Sequence, residues 1–294
     1  MRNRSEKNTM DLEKIINNID SLSPVSSTGT KIMEIISNPD SSLGEIVDVI
    51  KYDQSMTANL LKICNSSFFS LREKVVSVRQ AVSYLGMNNI ANIVIMGNFS
   101  KNFRSSQDGY DLNEGELWKY SVSSALIAQN LAEKRNIKNI PRLFTSALLK
   151  DIGKVVLSNY IKDVFKQIEL RVQENGMTFL EAEKDILGID HAELGAMVAE
   201  RWSFNPEMVF IIRNHHNPIN ILIQDNLSIP IIYLADSICM MIGIGGGADG
   251  LAYRYYQEVV DRLNFTDVEL QKTIADFWEK TKAVEEMVNL SGGR

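Results

Sequence analysis

Breakers of regular structure are scarce in this chain, with six prolines and seventeen glycines in 294 residues. Proline costs a helix interior about 3 kcal/mol and glycine about 1 kcal/mol, so their scarcity leaves the long periodic segments free to run as helices. No run of strict apolar and polar alternation is long enough to define a sheet. Cysteine is nearly absent, and Cys64 and Cys239 lie far apart in apolar contexts, which favours reduced, buried thiols over a disulfide framework or a cysteine zinc site. Positive charge is also short: 31 Lys and Arg against 37 Asp and Glu give a net charge of -6, so no general field attracts phosphate backbones or anionic lipid. Neither nucleic acid nor a membrane surface is expected as a partner. The tract from Met1 to Lys7 lacks the apolar core of a signal peptide, so a cytoplasmic location is expected. The apolar stretch from Ile229 to Ala248 is interrupted by Pro230, Asp236 and Gly245-Gly246-Gly247, and reads as a buried core helix ending in a flexible loop, not a membrane span.

What is present is a series of helix signals. Apolar periodicity begins at Leu12, Ile15 and Ile16, leaving residues 1–11 as an expected disordered leader. Ser42 with Glu45, Thr178 with Glu181 and Thr266 with Glu269 have capping-box spacing, and Asp190 with Glu193 and Asn205 before Pro206 mark two further helix starts. The polar segment Asn98 to Glu116 reads as an exposed connection. These signals predict an all-α chain, with a helical subdomain over 12–105, a second helical subdomain over 106–244, and a glycine-rich loop followed by an amphipathic helical tail over 245–294. That tail is expected to pack on the body or on a second copy.

All three histidines, His191, His215 and His216, fall between positions 191 and 216. A helix starting after Asp190 and another running from Pro206 toward Pro218 would place His191 at one helix start and the pair at the next helix end. Antiparallel packing would bring these ends together. Lys150-Asp151 and Asp236 are charged positions inside apolar runs, and each needs a counter-charge, hydrogen bonds or a metal. Asp151, His191, His215, His216 and Asp236 thus form a candidate site for a divalent metal such as manganese, iron or zinc. The same residues have a purely structural reading: histidines serving helix ends, and Lys150 pairing with Asp151 or Asp236.

At these residues the chain resembles a known family. Leu148-Leu149-Lys150-Asp151-Ile152-Gly153-Lys154 is similar to the L-L-H-D-I-G-K motif of HD-type phosphohydrolases. His191-Ala192-Glu193-Leu194-Gly195 and Asn214-His215-His216 are similar to later motifs of the HDOD and HD-GYP branches. Asp53-Gln54-Ser55-Met56-Thr57, Asn65-Ser66-Ser67-Phe68-Phe69 and Leu85-Gly86 resemble segments specific to HDOD. The resemblance spans about residues 12 to 240 and implies an HD-domain-like helical core with an N-terminal helical subdomain, in a bacterial signalling module usually without demonstrated catalysis. Such modules are often fused to receiver or cyclic-nucleotide domains; none is legible here, so the signal is expected to arrive by noncovalent contact.

The resemblance also implies a damaged metal motif. Tyr120 and Lys150 stand where the metal-dependent relatives carry histidines, while Asp151, His191, His215, His216 and Asp236 match the remaining ligand positions. A protonated lysine cannot ligate a cation and repels one nearby. The expectation is therefore a noncatalytic regulatory protein that needs no cofactor. In it the Lys150 ammonium takes part of the space of the lost metal and pairs with Asp151 and Asp236, and the chain binds a signalling protein, a small ligand or a second copy of itself. The alternative is a metal-dependent phosphohydrolase or phosphodiesterase acting on a nucleotide, with Asp151 as shared ligand, the histidines completing the site and bound water as nucleophile; a single metal on Asp151, His191 and one of the His215/His216 pair is the reduced form of that site. A third reading is an anion sensor that uses Lys150, Lys154 and the histidines without turnover.

Overall fold

The computed structural model describes residues 12–291 except 24, 39–40, 222–225, 246 and 253. The expected leader over 1–11 lies outside the described residues, as does part of the glycine-rich loop. Among the described residues the fold is all-α, with no strand and one isolated bridge between Gln107 and Leu112. No helix among them is long and apolar enough to cross a membrane.

After a helical stretch over 12–17, the first half of the chain forms α1 (Ser27–Ser37), α2 (Leu43–Ile50), α3 (Gln54–Cys64) and the long α4 (Val78–Phe103). The second half forms α5 (Glu116–Lys134), α6 (Ile140–Leu149), α7 (Ile152–Asn175), α8 (Phe179–Leu187), α9 (His191–Arg201), α10 (Pro206–Asn214), the short α11 (Pro218–Ile221), α12 (Ser228–Met241), α13 (Gln257–Leu263) and α14 (Asp267–Ser291). The capping signals sit where sequence spacing put them. Ser42 and Thr178 each close a reciprocal box with Glu45 and Glu181, Thr266 does the same with Glu269, and Asp190 accepts from the Glu193 amide. Each satisfies amides that a helix start otherwise leaves orphaned.

Helix α5 is the hub, packing on α6 and α12, while α9 packs on α7 and α10. Burial follows: Trp118, Tyr120 and Val122 of α5 and nearly all of α12 are inaccessible to solvent. Trp118 donates its indole N–H to Ser291 at 3.0 Å, tying the end of α14 to the body, and Lys119 pairs with Glu285 of the same helix. The C-terminal helix thus packs on its own chain. Cys64 and Cys239 are both free and buried, and burial pushes the Cys64 thiol up to about 12.

Gly86, with φ 74° and ψ 170°, kinks α4 and lets the chain continue as a second helical run. One sequence expectation needs correction. The segment Asn98 to Glu116 is not simply an exposed connection. It is helical to Phe103, and Gln107, Gly109, Tyr110 and Leu112 are buried. The reason is close approach: a Cβ on Gly109 would lie 2.2 Å from the Ser158 carbonyl oxygen, so only glycine lets this turn seat against α7.

Candidate functional site: a buried charge centre

Helices α6 and α7 are joined by Lys150 and Asp151 alone, so the corner between them carries two opposite charges into the core. Both residues are at most 1% exposed. Around this corner converge the start of α9 with His191, the end of α10 with His215 and His216, the middle of α12 with Asp236, and Tyr120 and Ser124 of α5. Gly153 makes the convergence sterically feasible. A Cβ there would stand 2.0 Å from the His191 carbonyl oxygen, so α7 and α9 touch backbone to backbone.

Lys150 Nζ pairs with Asp151 Oδ2 and, at 2.8 Å, with Asp236 Oδ1, and it lies 4.5 Å over the Tyr120 ring. Lys154 Nζ takes the other oxygen of Asp151 at 2.9 Å. Tyr120 donates its hydroxyl to Asp236 Oδ1, and Ser124 contacts the same oxygen at 3.4 Å. Burial opposes the charge on Lys150, but Asp151 and Asp236 outweigh it and hold its pKa above the ordinary lysine value. Burial likewise opposes the Asp151 carboxylate, and Lys150 and Lys154 overcome it, holding Asp151 well below the usual carboxylate range. Lys150 and Asp151 therefore remain charged and pair with each other, with Asp236 and with Lys154.

The histidines occupy the side of Asp151 away from Asp236. His191 Nε2 and His215 Nε2 stand 3.6 Å and 3.8 Å from Asp151 Oδ1, and His191 Nε2 lies 2.9 Å from His216 Nε2. Asp151, His191, His215 and His216 each offer a donor atom, and these atoms lie within 4.8 Å of one another. Asp236 does not belong to this group; Lys150 stands between it and the histidines' aspartate, so the five-residue ligand set drawn from sequence is divided in two.

Glu183 was not visible as a site residue from sequence. It accepts the His191 backbone amide at 2.9 Å, lies 2.8 Å from His191 Nδ1, and takes the Tyr110 hydroxyl at 2.7 Å. Burial lifts its carboxyl to about 8 against the lowering effect of those hydrogen bonds. The available signal was its position four residues after Phe179 on the apolar face of α8. His216 is driven well below the ordinary histidine value by burial and then by His215 and His191, so its ring is held neutral. A proton on His191 Nδ1 and one on His216 Nε2 satisfy both observed contacts.

These residues do not fit a paired-metal centre. Tyr120 engages Asp236 as a hydrogen-bond donor, and Lys150 and Lys154 occupy both oxygens of the one carboxylate that could bridge two ions. Beside the centre opens a cavity of about 480 Å³, lined by His191, His216, Tyr233 and Tyr256 and by three cations. Those cations are already paired: Arg213 with Glu193 and Glu200, Arg254 with Glu181, and Lys184 with Asp190 at 3.7 Å.

Comparison with known proteins follows this geometry. The HDOD domain matches residues 22–218, which include the whole histidine cluster but stop short of Asp236. An uncharacterised protein of Treponema pallidum (strain Nichols) is 26% identical over 205 residues, covering 69% of this chain, which spans only 39% of that relative's length. The crystal structure of an HDOD domain protein of unknown function from Geobacter sulfurreducens superposes with a TM-score of 0.75 at 25% identity, covering 96% of this chain and 99% of that one. A Marinobacter aquaeolei protein, provisionally assigned to signal transduction, shares the fold at a TM-score of 0.74 and 22% identity, covering 97% of this chain and 65% of that one. The chain belongs to the HDOD domain family.

Proposed function

We propose that this chain is a noncatalytic regulatory HDOD protein of the cytoplasm, in which lysine ammoniums have taken the place of the catalytic metals. The observation that carries this reading is the ion pairing of Asp151 inside the core, with Lys150 at one carboxylate oxygen and Lys154 at the other. A divalent ion entering there would meet two buried positive charges within a few ångströms, at low effective dielectric, where repulsion is many times its value in water. The centre instead locks α5, α6, α7 and α12 together through charge pairs and the Tyr120 hydroxyl. What such a scaffold offers is a fixed arrangement of helices whose surface meets a signalling protein, a small ligand or a second copy of the chain.

One observation favours a second reading. His215 directs Nδ1 at the Ile212 carbonyl at 2.7 Å, which leaves Nε2 buried without a hydrogen bond, 3.8 Å from Asp151 Oδ1. A metal-ligating histidine is commonly oriented in this way. A single manganese, iron or zinc ion on Asp151, His191 and one of the histidine pair would support a phosphohydrolase acting on a nucleotide, provided both lysines released the aspartate. An assay with bis(p-nitrophenyl) phosphate in excess manganese separates the two. The regulatory reading expects no hydrolysis above that of an Asp151→Ala control; turnover that vanishes in the control establishes the enzyme.

A further inference from the structure

A second cavity, of about 520 Å³, opens in the other half of the molecule between α3 and α4, with Ser23 and Ser26 on one side and the end of α14 on another. It lies apart from the histidine centre and shares no lining residue with the cavity there. Its size falls within the range that small-molecule sites occupy.

The lining has three parts. Leu60, Ile93 and Val94 supply a buried apolar floor. Above it are short hydrogen-bonding side chains with unused capacity. Asn59 makes no hydrogen bond to any described residue, and its amide nitrogen lies against Gly97, where a Cβ would come within 2.6 Å. Ser100 is 2% exposed and has only a 3.5 Å contact with the Gly97 carbonyl, too long to satisfy a hydroxyl well. The third part is cationic: Lys62 from α3 and Lys101 from α4 line the cavity from different helices, and neither has an ion-pair partner among the described residues.

The acidic residue in the lining does not cancel them. Asp53 caps α3, with one oxygen on the Met56 amide at 2.9 Å and the other on Thr28 Oγ1 at 3.0 Å. Two uncommitted lysines on one cleft are notable in a chain of net charge -6, where the other cavity's cations are all paired. They select an anion, and phosphate is the group that lysine holds as a point charge. Among the described residues no aromatic lines the cleft, so none of them stacks on a nucleobase. Amides and hydroxyls instead match a ligand rich in hydroxyl groups.

We propose that the cleft between α3 and α4 binds a small polyhydroxylated phosphate ester, a sugar phosphate, with its phosphate at Lys62 and Lys101 and its hydroxyls at Asn59 and Ser100. The proposal names a ligand class for the regulatory reading but uses a different site, so its failure leaves the lysine-filled centre untouched.

The test is calorimetric titration of the full chain with glucose 6-phosphate and ribose 5-phosphate, alongside glucose, inorganic phosphate and AMP. At least one sugar phosphate is expected to bind saturably and more tightly than glucose, phosphate or AMP. Lys62→Met/Lys101→Met, checked for an unchanged circular dichroism melt, is expected to weaken that binding about tenfold or more, equivalent to about 1.4 kcal/mol. Lys74→Met, at an exposed lysine outside the cleft, is expected to leave it unchanged. Absence of saturable sugar phosphate binding overturns the proposal. So does binding indifferent to the double variant, or inorganic phosphate or AMP binding as tightly as the sugar phosphates.

Discussion

Lys150 and Lys154 are 0% and 1% exposed and both hold Asp151, whereas Lys62 and Lys101 stand exposed at a cleft with no ion-pair partner among the described residues. The same side chain serves opposite ends in the two regions. In the core its charge is matched by buried carboxylates, because an unpaired charge is costly once water is excluded. In the N-terminal cleft it has no ion-pair partner among the described residues and faces the cavity. The difference teaches that a lysine's role is set by its surroundings: in the core it is bound to carboxylates, and at the cleft it faces solvent.

The comparison breaks most readily at the core. Replacing Asp236 by Ala removes one counter-charge of Lys150 and the acceptor of the Tyr120 hydroxyl, and is expected to cost about 3–5 kcal/mol of stability in urea titration. A loss below about 1 kcal/mol would mean that Lys150 does not depend on that partner.

Next in size is a pH effect. Glu183 is raised from 4.5 to about 8 by burial, so between those values the folded protein holds a proton that the unfolded chain releases. Its contribution is therefore fully present below pH 4.5, is lost as pH rises, and is gone above about pH 8, at about 1.4 kcal/mol for each pH unit of displacement. Glu183→Gln, which cannot ionise, is expected to show a flatter stability profile between pH 5 and 8. An unaltered slope would place the titrating group elsewhere.

Gly153→Ala follows. Its methyl group would push α7 away from the His191 backbone, and overpacking of this kind costs about 1–3 kcal/mol, measurable as a lowered melting temperature. The smallest effect belongs to the cleft. Lys62→Met/Lys101→Met should change stability by no more than about 0.5 kcal/mol in the absence of ligand, because neither lysine holds an internal partner. A substantial loss would show that the cleft lysines are structural after all.

Much of the buried centre was legible in the sequence because charge inside an apolar run is conspicuous. Lys150-Asp151 and Asp236 stand out against the leucines and isoleucines around them, and three histidines confined to one segment point to one place. Helix starts were legible because capping chemistry is local. Four things were hidden. Glu183 lies among Glu181, Lys184 and Asp185, and only the helical period shows that it faces inward while they face solvent. The division between Asp236 and the histidines depends on where the Lys150 side chain goes, which composition does not state. The cleft lysines look like any lysine on an exposed helix face, and they become neighbours of one cavity only when α3 and α4 fold together. Tyr110 was concealed by the polar residues around it, since its burial requires the close seat of Gly109 on α7.

The central claim is that lysine has replaced metal, and metal content tests it most directly. Purified protein would be loaded with manganese, iron or zinc, desalted, and analysed by inductively coupled plasma mass spectrometry beside Asp151→Ala. The account predicts metal well below one ion per chain in both proteins. Near-stoichiometric metal in the unmodified chain that disappears in the variant would contradict it.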